Sequence, residues 1–240
     1  MPNDKNEQPT PNLTDCNNEK PIKNYNSKNR LIKVLNNIQI TSGLAFGSFT
    51  IIHIAAPISS ALISPSVVDD VVMIGRTLYH QPYIEMSIFS SIIIHILSGS
   101  IKRMIKKRKS INIQQRLGWL GLPILLSHIL THRVIPSLST PPINNLSPSE
   151  LTYSNFVNYS LRFRPYFSIF TYTTLSTILT YHSIAGLWKK FKKSHIATFS
   201  IVNTAIISTG LFRLLDNVYN PPSYILPRFE AVYNLAEINV

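Results

Sequence analysis

Cysteine is almost missing from this sequence: Cys16 stands alone in 240 residues, which excludes an internal disulfide. Charge is scarce as well. Only 14% of residues are Asp, Glu, Lys or Arg, where a soluble domain carries about a quarter. The first 30 residues hold no apolar core, so the pattern of a cleaved signal peptide is lacking. They also lack the acid-poor, Arg-rich character of a mitochondrial presequence, since Asp4, Glu7, Asp15 and Glu19 fall there. No acid lies beside a histidine within the apolar segments, and no hydrolytic centre is predicted.

What is present is a series of apolar runs of about 20 residues, the length that crosses a hydrocarbon core. The net charge of +12 does not predict nucleic-acid binding, because the basic residues flank these runs instead of forming one face. The pattern predicts an all-α protein: a polytopic transmembrane bundle of about five spans embedded in the lipid bilayer. The spans fall near Ile38–Ile63, Tyr83–Ile101, Leu117–Pro136, Tyr166–Trp188 and Ile196–Leu215. Three regions follow: a disordered polar tail over 1–33, a membrane domain over 34–216, and a proline-containing tail over 217–240 with Pro221, Pro222 and Pro227. Gly43 and Gly47 have small-xxx-small spacing in the first span, and the frequent Ser and Thr suggest a packed bundle.

Basic residues concentrate in three segments: before the first span, between the second and third, and after the fourth. Arg76, Arg133, Arg162, Arg164, Arg213 and Arg228 are left for the other face. The positive-inside rule then places the N-terminus in the cytosol and the C-terminus on the opposite side.

Five of the seven histidines fall inside predicted spans: His53, His95, His128, His132 and His182. Ionisable residues at membrane depth are costly and point to function. At about 1.5 Å per residue, His95 and His182 lie roughly 10 Å below the basic face, and His53, His128 and His132 roughly 18–25 Å below it. One pair is therefore expected in each half of the bilayer: His95 with His182, and His53 with His132 or His128. Such pairs fit bis-imidazole ligation of haem b iron. Equally, intramembrane histidines bond helices together. His95 and His182 share a frame, each with a glycine one turn on (Gly99 and Gly186), leaving room for a porphyrin edge or a close helix contact. The spans lack Cys and Asp, and Glu85 near one end is a poor start for a zinc site.

Three segments carry a family resemblance: His95–Gly99 with the basic stretch after it, Gly118-Trp-Leu-Gly-Leu-Pro123 leading to His128 and His132, and His182–Gly186 before Trp188. In these the chain resembles the fungal MDM-ten-complementing protein family, whose membrane region is similar to the cytochrome b subunits of succinate dehydrogenase and fumarate reductase. The resemblance implies a cytochrome-b-like bundle in the mitochondrial outer membrane. It also implies an adaptor that recruits a Vps-thirteen bridge-like lipid-transfer protein through a Pro-x-Pro motif in its tail and supports lipid homeostasis. Pro9-Thr10-Pro11, followed by Leu13, matches that motif, and prolines pre-set the extended form that partners bind. Two other functions stay open beside the adaptor: a haem-b electron carrier or sensor, and a lipid scramblase using Ser, Thr and His as a headgroup path.

Overall fold

The computed structural model describes residues 22–107, 110–187, 192–216 and 221–238, and those residues are mostly helical with no strand among them. The long elements are α1 (Ile22–Leu62), α3 (Pro82–Lys106), α4 (Ile113–Ile129), α6 (Pro165–Leu187) and α7 (Lys193–Arg213). Between and after them lie α2 (Val68–Tyr79), α5 (Asn158–Phe163) and α8 (Leu226–Ile238). Local sequence explains several boundaries. Pro82 and Pro165 occupy the first helical position, where a missing N–H costs nothing. Asn112 and Gln115 form a reciprocal capping box that starts α4.

Three helical segments are long and apolar enough to cross a membrane: Ser27–Leu62, Pro82–Lys106 and Lys193–Asp216. The expected third and fourth spans do not meet that standard, for different reasons. The regular α4 is only 17 residues long before it widens into a π-helical turn at Leu130–Val134. In α6 the Thr, Ser, Tyr and His residues dilute the apolar ones.

The long helices pack in the order α3, α1, α7, α6, α4. Buried polar residues between them are mostly Ser and Thr. Their hydroxyls return to the preceding turn, as Ser42 does to the Ile38 carbonyl (2.8 Å) and Ser200 to the Ile196 carbonyl (2.8 Å). Others cross between helices: Thr177 meets Thr204 at 2.9 Å, and Asn203 donates to Thr180 at 2.9 Å. The closest approach is α7 on α1, where Gly210 lies against the Pro57 carbonyl and Ser60 donates to the Gly210 carbonyl (2.8 Å). Large apolar side chains such as Ile51, Ile93, Phe170 and Ile201 face outward.

Both ends of the chain depart from expectation. The tail predicted over 1–33 is helical from Ile22, because α1 extends well before the apolar run. The tail predicted over 217–240 contains α8, with Pro227 in its first turn, where proline does not interrupt the hydrogen-bond ladder. Phe229, Val232, Tyr233 and Ala236 of α8 are buried against Ile135, Ile143, Leu146 and Phe156. This cluster caps one end of the bundle.

Some arginines engage the cap and others bond elsewhere near that end of the bundle. Arg76 donates to the Pro148 and Leu151 carbonyls, Arg162 to Asn158 and the Leu215 carbonyl, and Arg213 to the Ala61 carbonyl. Arg133 pairs with Glu85, Arg164 with Glu237 and Arg228 with Glu150. The six arginines outside the three basic segments are thus tied into the fold.

Candidate functional site

Four helices each place one histidine toward the middle of the bundle: His53 on α1, His95 on α3, His128 on α4 and His182 on α6. They meet as two pairs. The rings of His95 and His182 have centroids 6.0 Å apart and are inclined at 71°. Those of His53 and His128 are 5.7 Å apart at 83°.

The His95–His182 pair is held by its surroundings. His95 Nδ1 is 3.0 Å from the Gln39 carbonyl of α1, and His182 Nδ1 is 3.0 Å from the Gln114 carbonyl of α4. A backbone carbonyl only accepts, so each Nδ1 carries a proton, and in the neutral imidazole of that tautomer Nε2 is the nitrogen with the lone pair. A carbonyl behind Nδ1 fixes the ring and aims Nε2 away from it, as it does for histidines that hold a metal. Glycines allow the approach. A Cβ on Gly43 would lie 3.2 Å from His95 Cε1, and one on Gly118 would lie 2.8 Å from His182 Cε1.

Gly99 and Gly186 were expected to make space for a porphyrin edge or a helix contact; both lie against a glutamine of a neighbouring helix, and Gly99 also lines a cavity beside His95. A Cβ at either would come within 2.9 Å of a side-chain amide nitrogen, Gln39 Nε2 at Gly99 and Gln114 Nε2 at Gly186. The two half-sites therefore repeat one design. Gln39-x-x-x-Gly43 serves His95-x-x-x-Gly99, and Gln114-x-x-x-Gly118 serves His182-x-x-x-Gly186. Moreover, His53 follows Gln39 at the same sequence distance as His128 follows Gln114. Sequence reading missed Gln39 and Gln114, and named Gly118 only as part of the Gly118–Pro123 segment. This spaced correspondence was the signal that could have found them, but it is too widely separated to register as a short repeat.

The second pair differs. Of the two histidines expected opposite His53, the structure selects His128. His132 lies in the π-helical turn, and its Nε2 meets the Tyr172 hydroxyl at 3.1 Å. The His128 and His132 rings remain close, at 4.4 Å. His128 Nδ1 is buried without a hydrogen-bond partner among the described residues, and the His53 ring stacks on Phe49 at 5.3 Å.

Each pair lines its own cavity. One of about 170 Å³ contains His95 and His182 with Gly99, Gly118, Trp119 and Arg103. The other, of about 200 Å³, contains His53, His128 and His132 with Arg76, Tyr79, Glu85 and Arg133. Phe46, Ile92, Leu125 and Leu179 line both, so one apolar layer with a residue from each of the four helices divides them.

A porphyrin provides four nitrogens of its own and asks two imidazoles of the protein. With imidazole–metal bonds of about 2 Å, axial ligands on opposite sides of one iron have ring centres roughly 6 Å apart. The ring centres of the two pairs, 6.0 Å and 5.7 Å apart, are of that size, and in the first pair each Nδ1 is also held by a backbone carbonyl. Among the described residues, no group of three or more His, Cys, Asp or Glu gathers for a bare metal ion. The tail residues Pro9, Thr10, Pro11 and Leu13 lie outside the described residues.

No family model matches this chain, and neither curated proteins nor solved structures provide a match.

Proposed function

We propose that the chain is a membrane haem protein of the b type, with haem held between His95 and His182 and a second site of the same kind between His53 and His128. The observation that carries this reading is the first pair: imidazoles from different helices, centred 6.0 Å apart, each with Nδ1 tied to a backbone carbonyl. Bound haem would supply a one-electron couple. The chain's own part is to present two neutral ring nitrogens, fix their direction through Gln39 and Gln114, and keep water out with the apolar layer. In this reading all five long helices cross the bilayer in a cytochrome-b-like bundle. Shortness in α4 and polarity in α6 are tolerated where helices face a cofactor and each other instead of lipid. The basic segments then lie in the cytosol and the arginine-rich cap on the other side.

The test is an absorption spectrum of detergent-purified protein made with ample haem, oxidised and then reduced with dithionite. Sharp reduced α and Soret bands, weakened by His95→Ala or His182→Ala, are expected. A colourless protein overturns the reading.

A second role is compatible and rests on the tail and the family resemblance. Pro9-Thr10-Pro11 with Leu13 would recruit a Vps-thirteen-type lipid-transfer protein to the mitochondrial outer membrane, with the bundle as anchor and lipid homeostasis as the outcome. Deleting Pro9–Pro11 should abolish recruitment and leave membrane insertion intact; unchanged partner localisation defeats this role.

A further inference from the structure

We propose that Arg103 binds the carboxylate edge of the haem in the His95–His182 cavity and thereby sets which way round the macrocycle enters. The proposal rests on the haem reading above and deepens it.

Arg103 lines that cavity, and its Nη1 is buried with no hydrogen-bond partner among the described residues. A guanidinium N–H removed from water without an acceptor is destabilising, so such a group marks a place where an acceptor belongs. Arginines on the opposite face contrast sharply, since each of the six reaches a carbonyl, amide or carboxylate. Among the described residues no Asp or Glu lines the Arg103 cavity, so none of them neutralises its charge there.

The cavity is also polarised along its length. Arg103 follows His95 by about two turns on α3, on the same side of the helix. Gln39, Ser100 and Gln115 line the cavity near it, at the end toward the basic segment. At the other end stand Phe46, Ile92, Leu125 and Leu179. A ligand that fits must therefore be apolar on its inner edge and anionic on its outer edge. Haem b has this character, with both carboxylates on one edge and hydrocarbon substituents on the other. The planar guanidinium fork matches a carboxylate in a way that a lysine ammonium does not.

Haem is titrated into full-length apoprotein in detergent, using wild type, Arg103→Gln and Arg103→Lys, and the titration is repeated with haem dimethyl ester, which has no carboxylates. For Arg103→Gln, affinity for haem is expected to fall about 10-fold or more, with the bis-imidazole band positions unchanged. The ester should bind wild type and Arg103→Gln alike, at the weakened level, and Arg103→Lys should recover part of the haem affinity. Wild-type affinity in Arg103→Gln, or an equal loss for haem and ester, overturns the proposal while leaving the haem site standing. Absence of a bis-imidazole spectrum in the wild type overturns both.

Discussion

Adding one methyl group at Gly118 tests how the His182 ring is held. A Cβ there would lie 2.8 Å from His182 Cε1 and 3.0 Å from its Nδ1. Carbon atoms in good contact sit about 3.5–4.0 Å apart, so the ring must retreat by roughly 1 Å. It cannot do so freely, because Nδ1 is 3.0 Å from the Gln114 carbonyl. Retreat stretches or breaks that hydrogen bond, a loss of about 0.5–1.5 kcal/mol, and turns Nε2 away from the axis shared with His95. Haem affinity of Gly118→Ala should therefore fall about 5- to 30-fold, corresponding to roughly 1–2 kcal/mol.

The other glycines provide a graded comparison. At Gly43 the corresponding contacts with His95 are 3.2 Å, so Gly43→Ala requires a smaller shift and should lose less. At Gly47 nothing lies within 4 Å of an added Cβ, and Gly47→Ala should bind haem like wild type. Titration of each apoprotein, monitored at the Soret band, gives the order, and a thermal melt without haem separates ring displacement from unfolding. If Gly118→Ala retains wild-type affinity and spectrum, or if Gly47→Ala is weakened as much, the argument from ring placement is refuted.

Other consequences concern the scaffold. Gly210→Ala places a Cβ 1.8 Å from the Pro57 carbonyl oxygen, so α7 must move off α1; a loss of about 3 kcal/mol or more is expected in detergent unfolding, and a small change would contradict the close packing. Phe229 is fully buried in the cap, so Phe229→Ala should cost about 3–5 kcal/mol and expose the cap to protease; unchanged proteolysis would mean the cap is not a cooperative part of the fold. Burial raises the Glu150 carboxyl pKa, but the Ser147 N–H and hydroxyl and the Arg228 guanidinium outweigh it and hold the carboxyl below its ordinary range. That stabilisation is present above the usual carboxylate range and is lost as pH falls through the depressed folded-state value. Melts between neutral and acid pH should therefore be shallower in Glu150→Gln, and identical pH profiles would sink this account.

Helix positions were legible in the sequence because roughly 20-residue apolar runs have few alternatives. The cap was not, since its core joins residues far apart: Ile143 from an irregular connection and Phe156 from the π-helical turn Tyr153–Val157 meet Phe229 and Tyr233 from a segment whose prolines read as a tail. No local periodicity reports such pairing. Depth along a helix axis did predict that His95 would find His182, yet it could not choose between His128 and His132. That choice depends on the π-helical turn after Ile129 and on Tyr172, which takes His132.

The two sites differ in how firmly they are prepared, and the difference follows from what lies behind each ring. At the first site both Nδ1 atoms are anchored on carbonyls and both rings lie over a glycine, so ligand geometry exists before a ligand arrives. At the second, His53 rests on Phe49, while His128 Nδ1 has no partner among the described residues and its neighbour His132 is held by Tyr172. Preorganisation lowers the ordering cost of binding, so haem should fill the His95–His182 site first. In a titration of wild type, the first equivalent should produce a spectrum that His95→Ala removes and His53→Ala leaves in place. If the first equivalent instead depends on His53, the hydrogen bonds to Gln39 and Gln114 are not what determines affinity.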